Sequence, residues 1–194
     1  MGIKKLARLG WPQPLPAEDQ PERWRRTFAG MRPWLPERAG AFVDIGCGSG
    51  GIAALVAKHY GNATAHLIDS TELRPKWAGY REGGEAWDDV ETAAALVRAH
   101  CPGVECRAWP PDPALTIPAD LIYSICSWGH HYQIETYLAL AVRSLRPGGI
   151  LIVDLRNVLT EHGSAVLSES FVSIGTVPNL TPKKYVRTVW RSRA

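Results

Sequence analysis

Two adjacent histidines, His130 and His131, follow an abrupt change of pattern within residues 124–132, SICSWGHHY. A β-branched apolar run stops at Trp128 and Gly129, and helical spacing takes over after the pair. An imidazole with a pKa near 6.5 is a base suited to neutral pH. Held against a reacting proton, it is worth roughly 10²–10⁴-fold in rate. The same pair could bind a metal or cap the next helix, so its meaning depends on its surroundings. A second stretch able to do chemistry, residues 43–51, reads VDIGCGSGG. Gly46, Gly48 and Gly50 make G-x-G-x-G, and Gly46, Gly48 and Gly51 make G-x-G-x-x-G, with Asp44 two residues ahead. Asp69 closes another apolar run, 23 residues after Gly46.

Glycine is needed in such a loop because the backbone turns tightly and comes close to a ligand. The helix behind it points about half a positive charge into the cleft. Two ligands suit this arrangement. A dinucleotide would rest its pyrophosphate on the loop. S-adenosylmethionine would place its amino-acid carboxylate on the same donors. Asp44 favours the second, because an acid there can order the loop or approach an ammonium group but does little for a pyrophosphate. A hydride-transfer enzyme also usually carries a substrate domain after its nucleotide half, and 194 residues leave no room for a large one. Asp69 suits either ligand, since a carboxylate can accept from both ribose hydroxyls.

The elements that must position these residues alternate. Residues 1–20, rich in proline, read as an N-terminal arm, and residues 21–194 as one domain. Trp24, Phe28, Met31 and Leu35 recur at helical spacing and predict a leading helix that ends near Pro33. AFVDI is a strand, and GGIAALVAKHY a helix stopped by Gly61. ATAHLID is the second strand, VECRAW the third and ADLIYSICS the fourth, whose near-continuous apolar run predicts a buried central strand. Between the second and third, residues 87–100 read as a helix with Asp88 and Asp89 at the positive end of its dipole. Ile134, Tyr137, Leu138, Ala141, Val142 and Leu145 form one stripe of a further helix. RPGG leads into ILIVDLR, strand five; a short helix over residues 160–168 precedes SFVSIGTV and YVRTVWR, two strands with no helix between them. The expected architecture is therefore α/β: a Rossmann-like, doubly wound, seven-stranded sheet, mostly parallel, with an antiparallel C-terminal hairpin. Ligands of such sheets sit at the carboxyl ends of the strands, where strand order reverses.

Composition narrows the classes. Hydrophobic residues are 45% of the chain and charged residues 21%, ordinary for a globular protein. No apolar run approaches the roughly 18 residues of a membrane span, and the basic start MGIKKLARLGW lacks the apolar core of a secretory signal. A cytoplasmic protein is expected. Cys47, Cys101, Cys106 and Cys126 show no C-x-x-C spacing and read as free thiols, with no metal expected. A net charge of +3 is too small to imply nucleic-acid binding. The tail KKYVRTVWRSRA is locally basic, and its alternation predicts an edge strand guarded by charge.

Taken together, the sequence resembles the class I S-adenosylmethionine-dependent methyltransferases. VDIGCGSGG is similar to their first motif, HLIDS to their acidic second and ADLIYSICS to their fourth, while LRPGGILIVD is similar to the turn and strand after their fourth helix. The matches are in order and cover roughly residues 38–157. The resemblance implies S-adenosyl-L-methionine as cofactor. It implies that Gly46, Cys47 and Gly48 line the methionine moiety, beside Asp44 and Gly50, and that Asp69 holds the ribose with Ser70 near the adenine. Trp109 and Pro110 fall where the family contacts the adenine ring, and Trp109 could stack on it or lie in the core. Ser124 falls where a backbone carbonyl receives the ligand's ammonium. The chain departs from the family after strand three, where AWPPDPA displaces the usual acid to Asp112. SWGHHY differs from the N/D-P-P-Y/F motif of many nitrogen methyltransferases, and is more similar to the SWG-x-HY stretch of bacterial enzymes that act on sugars and other small molecules.

Methyl transfer is an in-line displacement on an activated sulfonium methyl, so the protein chiefly aligns the nucleophile, a contribution of up to about 7–11 kcal/mol. An amine needs no deprotonation beforehand, whereas a hydroxyl does, which favours O-methylation of a small molecule next to a histidine. Adjacent residues do not easily face one target. His131 is expected inward as base or substrate contact, with His130 the alternative; both could also be structural. Trp128 and Tyr132 are candidates for the acceptor wall. Asp154 and Arg156 share a face and either touch the acceptor or form a buried pair. The loop of residues 74–87, with Arg74, Lys76 and Arg81, could close over the cofactor. With no large inserted acceptor domain, a second copy of the chain or a partner subunit could complete the pocket. RNA or protein acceptors, and a non-catalytic cofactor-binding subunit, remain the rival readings.

Overall fold

The apolar run Ala41–Ile45 forms β1, buried along its whole length, in a computed structural model that describes residues 20–70, 89–178 and 184–193. The expected arm, but for Gln20, lies outside the described residues, as does the loop of residues 74–87 with Arg74, Lys76 and Arg81. The leading helix α1 spans Gln20–Met31 and hands over to a 3-10 turn, Arg32–Trp34, at Pro33. After β1 come α2 (Gly51–Tyr60), capped by Gly61 in a positive-φ conformation, and β2 (Thr64–Ile68). Helix α3 (Val90–His100) starts at Asp89, whose side chain accepts from the Glu91 N–H, an N-cap that satisfies one of the free donors of the first turn. Strands β3 (Cys106–Trp109) and β4 (Ala119–Ser124) precede α4 (Glu135–Ser144). The chain ends with β5 (Leu145–Arg156), α5 (Thr160–Ser168), β6 (Phe171–Val177) and β7 (Tyr185–Ser192).

The seven strands order as β3-β2-β1-β4-β5-β7-β6. The first five pair in parallel, and β7 is antiparallel to both β5 and β6. Alternation along β1 sends Phe42 to one core, with Met31, Val56 and Val97, and Val43 and Ile45 to the other, with Tyr137, Leu140 and Leu167. Helices α1, α2 and α3 therefore cover one face, and α4 and α5 the other. Strand order reverses between β1 and β4, so the loops after these two strands flank the switch point of the sheet.

Two expectations from pattern are corrected. The basic tail strand β7 is not an edge: it lies between β5 and β6, and β6 takes the edge. Arg187, read as a solvent-facing guard, is 1% exposed, because antiparallel insertion gives β7 two neighbours and buries both of its faces. On α4 the stripe is rotated. Leu140 is buried and Val142 is 46% exposed, since Tyr137, Leu140, Ala141 and Ser144 form the face against the sheet. Ser144 is buried because its Oγ accepts from the Ile117 N–H at 2.8 Å.

Candidate active site

The glycine loop leaves β1 pinned to the next strand. Gly46 N–H donates to Ile68 O at 2.7 Å, and Gly50 N–H closes a turn on Cys47 O at 3.0 Å. Gly46, Gly48 and Gly50 have φ of 75°, 52° and 77°, a region that side chains with a Cβ adopt only with strain. Their surroundings differ. A Cβ on Gly46 would overlap the Ser127 side chain, and one on Gly50 would meet Ala93 O at 2.7 Å. A Cβ on Gly51 would overlap the Trp24 indole of α1. A Cβ on Gly48 would meet nothing within 4 Å among the described residues. Three of the four glycines thus let protein approach protein, and Gly48 alone faces open space.

Asp69, at the end of β2, closes this half. Its Oδ2 accepts from Gly48 N–H at 2.7 Å and its Oδ1 from Ser70 N–H at 2.8 Å. The acid expected to hold a ribose therefore also grips the loop. Asp44 is 3% exposed. Burial pushes its carboxyl up to about 8; the Tyr123 hydroxyl lowers it, and the nearby Asp69 adds to the rise. The Cys47 thiol is pushed well above its ordinary range by burial and then by Asp44 and Asp69, so it lacks the thiolate character of a nucleophile. At the end of β3, Trp109 O accepts the Asp69 N–H. The indole of Trp109 donates to His66 Nδ1 at 3.1 Å, with the two rings near parallel. His66 can accept because burial lowers it to about 4 and keeps it neutral. Pro110, next along, is exposed.

The other half is the turn after β4. Ser124 is fully buried; its Oγ donates to Ile45 O at 2.7 Å and accepts from Trp128 N–H at 2.8 Å. Its side chain staples the end of β1 to the turn. Ser127 O gathers the N–H groups of His130, His131 and Tyr132 at 3.1, 2.7 and 3.2 Å. Trp128 is a correction: its indole is fully buried, donates to Ile134 O at 2.6 Å and packs edge-on against Tyr137. It supports the turn from below instead of walling a pocket. Tyr132, half-buried, packs edge-on against Tyr137 from the other side. His130 and His131 stack edge-on, centroids 4.6 Å apart, and His130 also meets Tyr185 edge-on at 5.7 Å. Burial lowers His130 to about 3, helped by the charges of His131, Arg156, Lys184 and Arg23. At neutral pH it is uncharged and a very weak base, which leaves His131 as the candidate base of the pair.

Asp154 does form a buried pair, but with Arg187 and not with Arg156. Arg187 Nε and Nη2 donate to its two oxygens at 2.7 and 3.0 Å. Asp154 Oδ2 also accepts from Cys126 N–H at 3.0 Å. Cys126 is the only non-glycine at positive φ among the described residues, at 56°. A β7 arginine thus fixes the acid that holds the strained residue opening the histidine turn. The two lie 33 residues apart, so no local motif records the pairing. Arg156 is half-buried, and its N–H donates to Gly129 O at 3.1 Å. Two surface hollows of about 620 and 590 Å³ lie away from both loops, beside Trp34 and Arg191 and beside α5 and β6 respectively.

The chain matches no protein-family model. Among curated proteins, a trans-aconitate 2-methyltransferase of Delftia acidovorans is 27% identical over 132 residues, 66% of this chain and 42% of that protein. The chain spans less than half the length of the curated relatives it matches. Among solved structures, a methyltransferase from Pyrococcus furiosus aligns with a TM-score of 0.58 at 15% identity, over 88% of this chain and 83% of that one. The [4+2]-cyclase SpnF aligns with a TM-score of 0.63 at 15% identity, over 87% and 81%.

Proposed function

We propose that this chain, which has the class I S-adenosylmethionine-dependent methyltransferase fold, transfers a methyl group from S-adenosyl-L-methionine to an oxygen of a small molecule. The observation that carries the reading is the glycine loop at the switch point. It is closed by Asp69 and, among the described residues, open at Gly48, and it lies beside the turn after β4 that carries histidines. In this reading Gly46, Cys47 and Gly48 border the methionine moiety, over Asp44. Asp69 takes the ribose, and Ser70, Trp109 and Pro110 border the adenine. The cofactor supplies an activated methyl on a sulfonium; the protein aligns the acceptor and excludes water. The residues present fit it: the open face at Gly48 leaves room for a ligand against the loop, and a cationic amine brought beside Asp44 would draw off the proton that burial keeps on its carboxyl. His131 takes the acceptor hydroxyl proton, held in place by the Ser127 carbonyl and by the edge contact with His130.

The named activity of the curated relatives supports a small-molecule acceptor. Burial of Arg187 removes a charge from the basic tail that supported an RNA acceptor. Likeness to a protein titled a cyclase favours a second reading, in which the fold binds the cofactor for something other than methyl transfer.

Calorimetry with S-adenosylhomocysteine, run beside NAD and NADP, tests the cofactor. Heat with a nicotinamide dinucleotide and none with the homocysteine compound would sink the reading. Label transfer from S-adenosylmethionine tests the reaction. His131→Ala is expected to cut turnover by roughly 10²–10⁴-fold at near wild-type cofactor affinity; equal turnover would remove His131 from the mechanism.

A further inference from the structure

Among the described residues, five arginines are matched with acids. Arg25 meets Glu22, Arg98 meets Glu91, Arg107 meets Glu105, Arg146 meets Asp120, and Arg187 meets Asp154. Three that have no carboxylate within ion-pair distance among the described residues come from three separate segments to one place. Arg23 of α1 reaches the histidine turn, its Nη2 3.9 Å from Cys126 Sγ. Arg156, at the end of β5, is tied by its N–H to Gly129 O and lies opposite Tyr185 in the ladder. Lys184, just before β7, holds Asn157 N–H on its carbonyl at 3.1 Å. The His130 ring is edge-on to Tyr185, and the charges of all three bear on it. Asp154, which holds the start of this turn, is fully buried and occupied by Arg187 and Cys126. His130 Nδ1 is buried and has no hydrogen-bond partner among the described residues.

Like charges gathered at a cleft mouth repel one another, and they focus a field that draws in an anion. We propose that Arg23, Arg156 and Lys184, with His130 as a hydrogen-bonding group, form an anion subsite, and that the methyl acceptor carries a carboxylate or phosphate that sits there. The inference rests on the methyl-transfer reading, because that reading makes this the acceptor side of the cleft. Arginine presents a planar fork that suits both anions. The geometry requires that the anionic group stand beside the histidine turn and not against the glycine loop, whose open face is kept for the cofactor. The subsite also gives the neutrality of His130 a use: an uncharged imidazole adds a hydrogen bond without adding a fourth charge to the cluster.

The test uses the full chain saturated with S-adenosylhomocysteine, whose own binding is measured first. Four probes are titrated at fixed ionic strength: trans-aconitate, its trimethyl ester, glucose 6-phosphate and glucose. The expected result is that one charged member of a pair binds, that its uncharged counterpart does not, and that affinity falls with added salt. Arg156→Gln, Lys184→Gln and Arg23→Gln each weaken that binding by about tenfold and leave the S-adenosylhomocysteine affinity unchanged. Arg25→Gln, on the same helix but paired with Glu22, changes neither. Preference for trans-aconitate assigns a carboxylate, and preference for the sugar phosphate assigns a phosphate. Binding by neither anion, equal binding of ester and acid, or Gln variants within twofold of wild type overturns the subsite. Failure of S-adenosylhomocysteine itself to bind overturns the functional reading instead.

Discussion

The two loops that flank the switch point reach similar backbone shapes by opposite means. The loop after β1 enters the left-handed region at Gly46, Gly48 and Gly50, where glycine carries no steric penalty. Its partners, Ile68 O and Asp69, stand on the adjacent strand. The turn after β4 puts Cys126 in the same region, at a cost of roughly 1–2 kcal/mol. It is held by Asp154, 28 residues away, which is held in turn by Arg187, 33 residues further. One half of the cleft is shaped by its own residues, and the other by charge buried two strands across. A loop of the first kind suits a ligand that does not change; a turn of the second kind can be reshaped from a distance without touching the cofactor side.

Removing the distant charge breaks this contrast most severely. Arg187→Leu leaves Asp154 buried without its guanidinium and is expected to cost about 3–5 kcal/mol in urea unfolding. The double variant Asp154→Leu/Arg187→Leu, with no orphaned charge, is expected to regain most of that stability and still raise the acceptor KM, because Cys126 N–H has lost its acceptor. A double variant with wild-type acceptor KM would show that the turn holds its shape alone.

Next in size is a pair of glycine replacements. Gly46→Ala combines positive-φ strain with overlap on Ser127, so stability and cofactor binding fall together. Gly48→Ala meets nothing within 4 Å among the described residues and is expected to cost only about 1–2 kcal/mol of backbone strain, while S-adenosylhomocysteine binding is lost. Thermal unfolding beside calorimetry separates the two. Equal losses of stability would mean that Gly48, too, faces protein.

The last comparison concerns Asp44. Its folded pKa of about 8 lies above the ordinary value near 3.9, so between these values the folded chain keeps a proton that the unfolded chain releases. That part of the stability is complete below the lower value and is lost as pH rises through the upper one. Asp44→Asn lacks the dependence. Its Tm is expected to gain on wild type steadily from pH 5 to pH 8.5, and parallel curves would exclude the assignment. The same substitution should weaken the cofactor, because asparagine has no proton to release in favour of the cationic amine.

Much of this was legible in the residues. β1 at Ala41–Ile45, α5 at Thr160–Ser168 and the Gly61 cap follow from apolar runs and punctuating glycines, which act over a few residues. The spacing from Gly46 to Asp69 already implied one site, since a parallel strand-helix-strand unit returns its second strand beside the first. The stripe on α4 was harder. Its apolar residues exceed one face, and only the sheet beneath decides that Leu140 turns inward and Val142 outward. Trp128, read as a pocket wall from its place at the end of β4, is a core residue because Ile134 O and Tyr137 wait beneath it.

By itself the sequence determined the alternation of strands and helices, the glycine loop and its acid, because each depends on residues that are neighbours along the chain or one crossover apart. Only the tertiary structure decided that β7 enters between β5 and β6. With that insertion a surface arginine became the buried partner of Asp154, and Tyr185 and Lys184 came to stand against His130. Strand order is a contest among whole surfaces for burial, and no local spacing records which pairing wins.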